Sequence, residues 1–277
     1  MSRSAAPPSR TDDRSIWSAA LVCPVASPPV REGGILVNGD RIEAVGPADE
    51  LRAAAPGAPE RAFGRAVLIP GMVNAHTHLE LSGLGRFGEG GPPEGGMAGW
   101  IGRLVRELRE WPPHLFLASA RLGAAASLAS GVTCAGDITV SGQSLPAMGD
   151  AGLRGVAFHE AFGLEEERAE EILAERIPAE GEIPDMAGGL AGGLRQGVSP
   201  HAPYSTSPRL YRLLLDLAGA RGWPAAGHLA ESPEEVQFLL DGGGPLAEMH
   251  RALGSRAESF TPPGFYPLSH LYEIYLI

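Results

Sequence analysis

Short apolar runs that end on ionisable residues, alternating with helix-patterned stretches, restrict this chain more than any other feature of its sequence. The runs are 66–69, which leads into His76 and His78, then 132–138, 153–162, 197–201 and 225–228. Between them lie stretches that read as helices. Residues 115–130 are rich in Ala and Leu and stop at Gly131, and Leu210, Leu213, Leu214 and Leu217 mark one helical face. Ser207-Pro208 and Ser232-Pro233 pair an N-cap residue with a first-turn proline. Strands that alternate with helices at this spacing argue for an α/β fold with a parallel sheet. The polar residues closing the runs are His76 and His78, Asp137, His159 with Glu160, His201, and His228 with Glu231. The C-terminal ends of parallel strands are where such folds carry their sites.

His76 and His78 stand two apart, so on a strand both imidazoles leave one face and can share a metal ion. The spacing alone leaves a second reading open, two surface or hydrogen-bonded histidines. The wider segment Ile69-Pro70-Gly71-Met72-Val73-Asn74-Ala75-His76-Thr77-His78-Leu79-Glu80 resembles the first barrel strand of the amidohydrolase superfamily. It is most similar to the branch that holds cytosine, guanine, S-adenosylhomocysteine and aminofutalosine deaminases together with triazine chlorohydrolases. The resemblance runs from about residue 30 to about residue 265. It implies a (β/α)8 TIM-like barrel, present here as a partial barrel of about five strands, with a small N-terminal β-sandwich subdomain. On that reading 1–14 is a disordered lead, 15–65 the small β subdomain and 66–277 the incomplete hydrolase barrel. The Asn38-Gly39-Asp40 turn between two β-like runs is a hairpin signal in its own right.

The same resemblance implies roles. His76, His78 and His228 are the expected ligands of one divalent metal ion, with zinc placed ahead of iron although imidazole suits both. In His228-Leu229-Ala230-Glu231 the glutamate resembles the family's proton carrier, and the chain must turn after Leu229 for its carboxylate to face the metal; an exposed first-turn acid is the other reading. His201, in Ser199-Pro200-His201-Ala202-Pro203-Tyr204-Ser205, resembles the histidine that faces the substrate, against a hydrogen-bonded core histidine. Glu80 is assigned to substrate contact, against a loop acid. Asp137 and His159 stay open between site and structure. The chemistry implied is hydrolytic cleavage of a carbon–nitrogen bond, the deamination of a purine, pyrimidine or nucleoside-like heterocycle. A chlorohydrolase-type reaction and a non-catalytic remnant are the alternatives.

Composition narrows the partners. With a net charge of −11, 22 basic residues all of them Arg, and no basic cluster, the chain lacks the cationic footprint of a nucleic-acid binder. No apolar run reaches the ~20 residues that span a membrane. Two distant cysteines, Cys23 and Cys134, argue against a disulfide framework and for the cytoplasm. Gly83 to Gly99 holds eight glycines and reads as a mobile loop, followed by an amphipathic helix over 100–111.

Two family features have no counterpart, a sixth-strand His-x-x-His and an eighth-strand aspartate. Three of the five tyrosines fall in the last twelve residues, unlike the Ala-, Gly- and Arg-rich remainder. The expectation is therefore a truncated product, prone to aggregate through open strand edges, which pairing into a homodimer would cover.

Overall fold

Alternating apolar and polar residues across 14–47 build an antiparallel meander. Strands β1 (Arg14–Val22), β2 (Val30–Asn38) and β3 (Arg41–Pro47) pair in order, and Asn38 faces Arg41 across the expected tight turn. Gly39 occupies the left-handed region there, with φ at +60°. Helix α1 (Ala48–Ala54) follows, and β4 (Glu60–Ala62) and β5 (Val67–Leu68) run parallel to β1. The computed structural model describes residues 13–88, 95–179, 193–255 and 260–276, in two compact units, 1–71 and 72–277. Most of the expected N-terminal lead, part of the glycine-rich loop (89–94) and residues 180–192 lie outside the described residues.

The first unit shows one layer of the expected sandwich. Among its described residues there is one five-stranded sheet, not two packed layers. Ile16 and Leu36 on that sheet pack against Leu51 and Ala55, so the helical segment supplies the apolar cover that a second sheet would have given.

In the second unit, β6 (Met72–Thr77), β7 (Val132–Thr139), β8 (Arg154–Ala161) and β9 (Leu194–Pro200) form a parallel sheet in sequence order. Helices α2 (Gly96–Arg109) and α3 (Pro113–Ala129) separate the first two strands, α4 (Ser144–Ala151) the second and third, and α5 (Ala169–Arg176) precedes β9. After β9 come α6 (Pro208–Arg221), α7 (Pro233–Asp241), α8 (Gly244–Ala252) and α9 (Pro267–Leu276). Both serine caps form: Ser207 Oγ accepts from Leu210 N and Ser232 Oγ from Glu235 N, each at 3.3 Å.

The expected fifth strand is not a strand. Residues 225–228 touch β9 through one bridge, Ala225 to Val198, and Ala226 N donates to Val198 O at 3.0 Å. The segment leaves that ladder by donating His228 N to His201 O at 2.7 Å.

Strand register decides which polar residues can meet. Asp137, Ala157 and Gln196 lie side by side, as do Thr139, His159 and Val198. Ala135 and Ala157 pack under α3 and α4, while Val198 and Ala161 pack under α5 and α6, so these rows face the helices. Glu160 and Ser199, one residue along, face the other way. Among the described residues, no helix is long and apolar enough to cross a membrane.

Candidate metal centre and active site

Gly136 lets β6 approach β7 closely, because a Cβ there would meet the Ala75 carbonyl oxygen at 2.5 Å. At this end of β6 the backbone register shifts between Asn74 and Thr77, and His76 and His78 emerge together with ring centroids 5.1 Å apart. His228 reaches the same point from the segment beside β9, 4.9 Å from the His76 ring and 5.4 Å from the His78 ring. One ligand nitrogen from each of the three lies within 4.8 Å of the others.

Electrostatics suit these imidazoles to a cation. Burial, with the neighbouring imidazoles, pulls His78 down to about 4, and His76 is lowered for the same reasons. Both are therefore neutral near pH 7, with a lone pair to offer. His228 Nδ1 donates to the His201 carbonyl at 3.0 Å, which fixes its tautomer and leaves Nε2 bare. The donor set thus fits a divalent ion before any proton has to leave.

His201 follows β9 and is half-buried. Ser205 Oγ donates to the Ala202 carbonyl at 3.2 Å, so at 2.6 Å it accepts from His201 Nδ1. The Nε2 atom of His201 is again the bare nitrogen, and burial holds the ring neutral, down to about 3. Its ring centroid lies 4.9 Å from that of His228.

Glu231 lies where the chain turns, as the sequence requires. Ala230 adopts φ +56°, a left-handed conformation that costs a non-glycine residue about 1–2 kcal/mol. Glu235 N is capped by Ser232, and the buried Glu235 carboxylate accepts Glu231 N at 2.8 Å. The Glu231 carboxylate accepts the Tyr204 hydroxyl at 3.0 Å and acts electrostatically on His76.

Glu80 is not available for substrate, contrary to its assignment from sequence. It is 2% exposed, and its oxygens accept from Thr139 Oγ1, Val140 N, Ser141 N, Ser141 Oγ and Gln143 N. The strand ends before it, and a 3-10 segment, Leu79–Gly88, turns the carboxylate under the loop after β7. Asp137 and His159 also resolve as structural. Asp137 accepts Leu79 N at 2.7 Å, and burial raises it to about 7. His159 bonds Gln196 at 3.0 Å and stacks on Trp223.

Glu160, assigned no role from the sequence, stands at the site. It is 4% exposed, its Oε1 has no hydrogen-bond partner, and that atom lies 3.9 Å from His228 Nδ1. Burial pushes its carboxyl up to about 8. Glu160, His201 and His228 form a second cluster with ligand atoms within 4.8 Å. The period-2 pattern of β8 was the available signal, since it sets Glu160 opposite His159.

Known proteins bear on this geometry. The sequence model of the amidohydrolase family matches residues 67–256, and one for a bacterial imidazolonepropionase-like composite domain matches residues 33–58. An aminodeoxyfutalosine deaminase from Deinococcus radiodurans is 35% identical over 77% of this chain and 48% of its own length. A 5-methylthioadenosine/S-adenosylhomocysteine deaminase from Nitratidesulfovibrio vulgaris is 30% identical over 82% of this chain and 51% of its own. The chain thus spans about half the length of the curated relatives it matches. Among solved structures, Helicobacter pylori aminofutalosine deaminase in complex with methylthio-coformycin superposes with a TM-score of 0.74 at 21% identity, covering 94% of this chain and 61% of that one. Zinc-complexed atrazine chlorohydrolase from Arthrobacter aurescens gives 0.65 at 18% identity, covering 93% of this chain and 57% of its own.

Proposed function

We propose, from the premise that this chain belongs to the amidohydrolase family, that it carries the metal-binding half of a hydrolytic nucleoside deaminase with a partial (β/α)8 barrel. The observation that carries the reading is the convergence of His76, His78 and His228 on one point from two separate segments. These three would hold one divalent ion, zinc before iron. Such an ion supplies Lewis acidity, lowering the pKa of water from about 16 to about 7.

The chain's own residues do the rest. Glu231 takes the proton from the attacking water and passes it to the ring nitrogen or the departing amine, a role worth roughly 10²- to 10⁴-fold in rate. His201 presents a bare Nε2 from which it accepts a hydrogen bond from substrate. An adenosine-like nucleoside modified at its 5′ position is the substrate class, supported by relatives named for aminodeoxyfutalosine, 5-methylthioadenosine and 5′-deoxyadenosine. A cytoplasmic location is part of the same reading, supported by two free cysteines, Cys23 and Cys134.

The test is elemental analysis together with a turnover screen. One zinc per chain in the wild type, and less than a tenth of that in the His76→Ala/His78→Ala double variant, is the expected result. Ammonia release is expected from 5′-modified adenosines in preference to free bases, and chloride release from a chlorotriazine marks the chlorohydrolase outcome. Full zinc occupancy in the double variant overturns the metal centre.

A further inference from the structure

Glu231 is an exposed side chain asked to hold one orientation. Its backbone is fixed by the left-handed Ala230 and by the Glu235 carboxylate, but its side chain has three rotatable bonds and open solvent beside it. Freezing such a side chain costs rotamer entropy. Something must hold the carboxylate turned toward the histidines.

That contact comes from the segment after β9. Tyr204 is 1% exposed, and its hydroxyl donates to Glu231 Oε2 at 3.0 Å. The tyrosine is itself clamped. Its carbonyl accepts His250 Nε2 at 2.9 Å from α8, its ring meets the His201 ring edge-on at 5.5 Å, and it belongs to the cluster formed by Phe238, Leu246 and Ala202. A buried donor therefore holds an exposed acceptor across 27 residues of sequence. Burial and the adjoining carboxylate drive the phenol's pKa upward, which favours the donor form.

We propose that Tyr204 is a positioning residue, whose hydroxyl holds the Glu231 carboxylate in the orientation needed to carry protons at the three-histidine centre. The inference rests on the deaminase reading of that centre. It assigns Tyr204 no contact with substrate or metal. Its action runs entirely through Glu231, and it links the substrate-side histidine and the proton carrier into one unit, since His201 and Tyr204 share a turn and a ring contact.

The experiment compares wild type, Tyr204→Phe, Glu231→Gln and the double variant as zinc-loaded proteins, with 5′-methylthioadenosine as substrate. Tyr204→Phe is expected to keep one zinc per chain and to lower kcat about ten- to a hundredfold, near the low end of a general acid–base contribution. Its KM should move less than about threefold, as suits a group that acts on the proton carrier alone. In the Glu231→Gln background the same change should have no further effect, because residues that act as a unit are non-additive. A crystal structure of zinc-loaded Tyr204→Phe should show Glu231 in more than one rotamer with the three histidines unmoved. Wild-type kcat in Tyr204→Phe, additive losses, or a single unchanged Glu231 rotamer each overturn the inference. A zinc-loaded wild type without deaminase activity overturns the functional reading instead, and the inference falls with it.

Discussion

Glu80 and Glu231 each follow one of the metal-centre histidines by two or three residues, and their surroundings give them opposite work. Glu80 has five hydrogen-bond donors and almost no exposure, so it anchors the loop after β7. Glu80→Ala would strand several of those donors, at about 1–3 kcal/mol for each left unsatisfied. The expected loss is at least about 3 kcal/mol by urea unfolding, and a loss under 1 kcal/mol would return Glu80 to the substrate. Glu231→Gln keeps the shape and removes the proton carrier, so zinc stays stoichiometric while kcat drops about 10²- to 10⁴-fold; a drop below tenfold makes Glu231 a helix-start acid. Asp137 carries a pH signature. Its folded pKa of about 7 lies above the unfolded 3.8, so between those values the native state holds the extra proton. Its contribution is whole below about pH 4 and is lost as pH rises toward 7. Asp137→Asn imitates the protonated form. Relative to that variant, the wild type should lose more than about 1 kcal/mol between pH 4.5 and 8, since one pKa unit is worth 1.36 kcal/mol. Parallel pH curves would place the proton elsewhere.

Among the elements, the two serine-capped helices separate structure from site. Ser207 and Ser232 make the same cap bond at 3.3 Å, so either substitution by Ala should cost about 1 kcal/mol in thermal or urea unfolding. Ser232 also fixes the turn whose Glu235 holds the Glu231 backbone. Ser232→Ala is therefore expected to lower turnover severalfold, while Ser207→Ala leaves it unchanged; equal kinetic effects would detach α7 from the site. Strands β7 to β9 follow from the apolar runs of the sequence, whereas the run 66–69 falls in β5, paired with β1, and β6 begins only at Met72. At 225–228 the ladder stops after one bridge because His228 N donates to the His201 carbonyl, beyond the end of β9. Helix α4 carries no strong apolar stripe in sequence, and its burial comes from neighbours that sequence patterning does not reveal.

For the whole molecule, an ion held by the three histidines would link site and stability. An ion that binds only the folded protein stabilises it by RT ln(1 + [L]/Kd), about 2.7 kcal/mol at a hundred times Kd. Zinc should raise the unfolding midpoint, a chelator should reverse the rise, and His228→Ala should abolish it; a midpoint indifferent to zinc in the wild type counts against the centre. The sequence by itself determined the parallel α/β plan, the hairpin at Gly39, the two serine caps and the set of polar residues at strand ends, because these depend on periodicity and on neighbours within four residues. It also carried the family likeness that gave His76, His78, His228 and Glu231 their expected roles. Only the tertiary structure separated Asp137 and His159, under the helices, from Glu160, at the centre, because register between strands sets which face each residue takes. Only it turned Glu80 into a loop anchor and joined Tyr204 to Glu231, since both contacts form between segments far apart in sequence whose meeting is decided by packing.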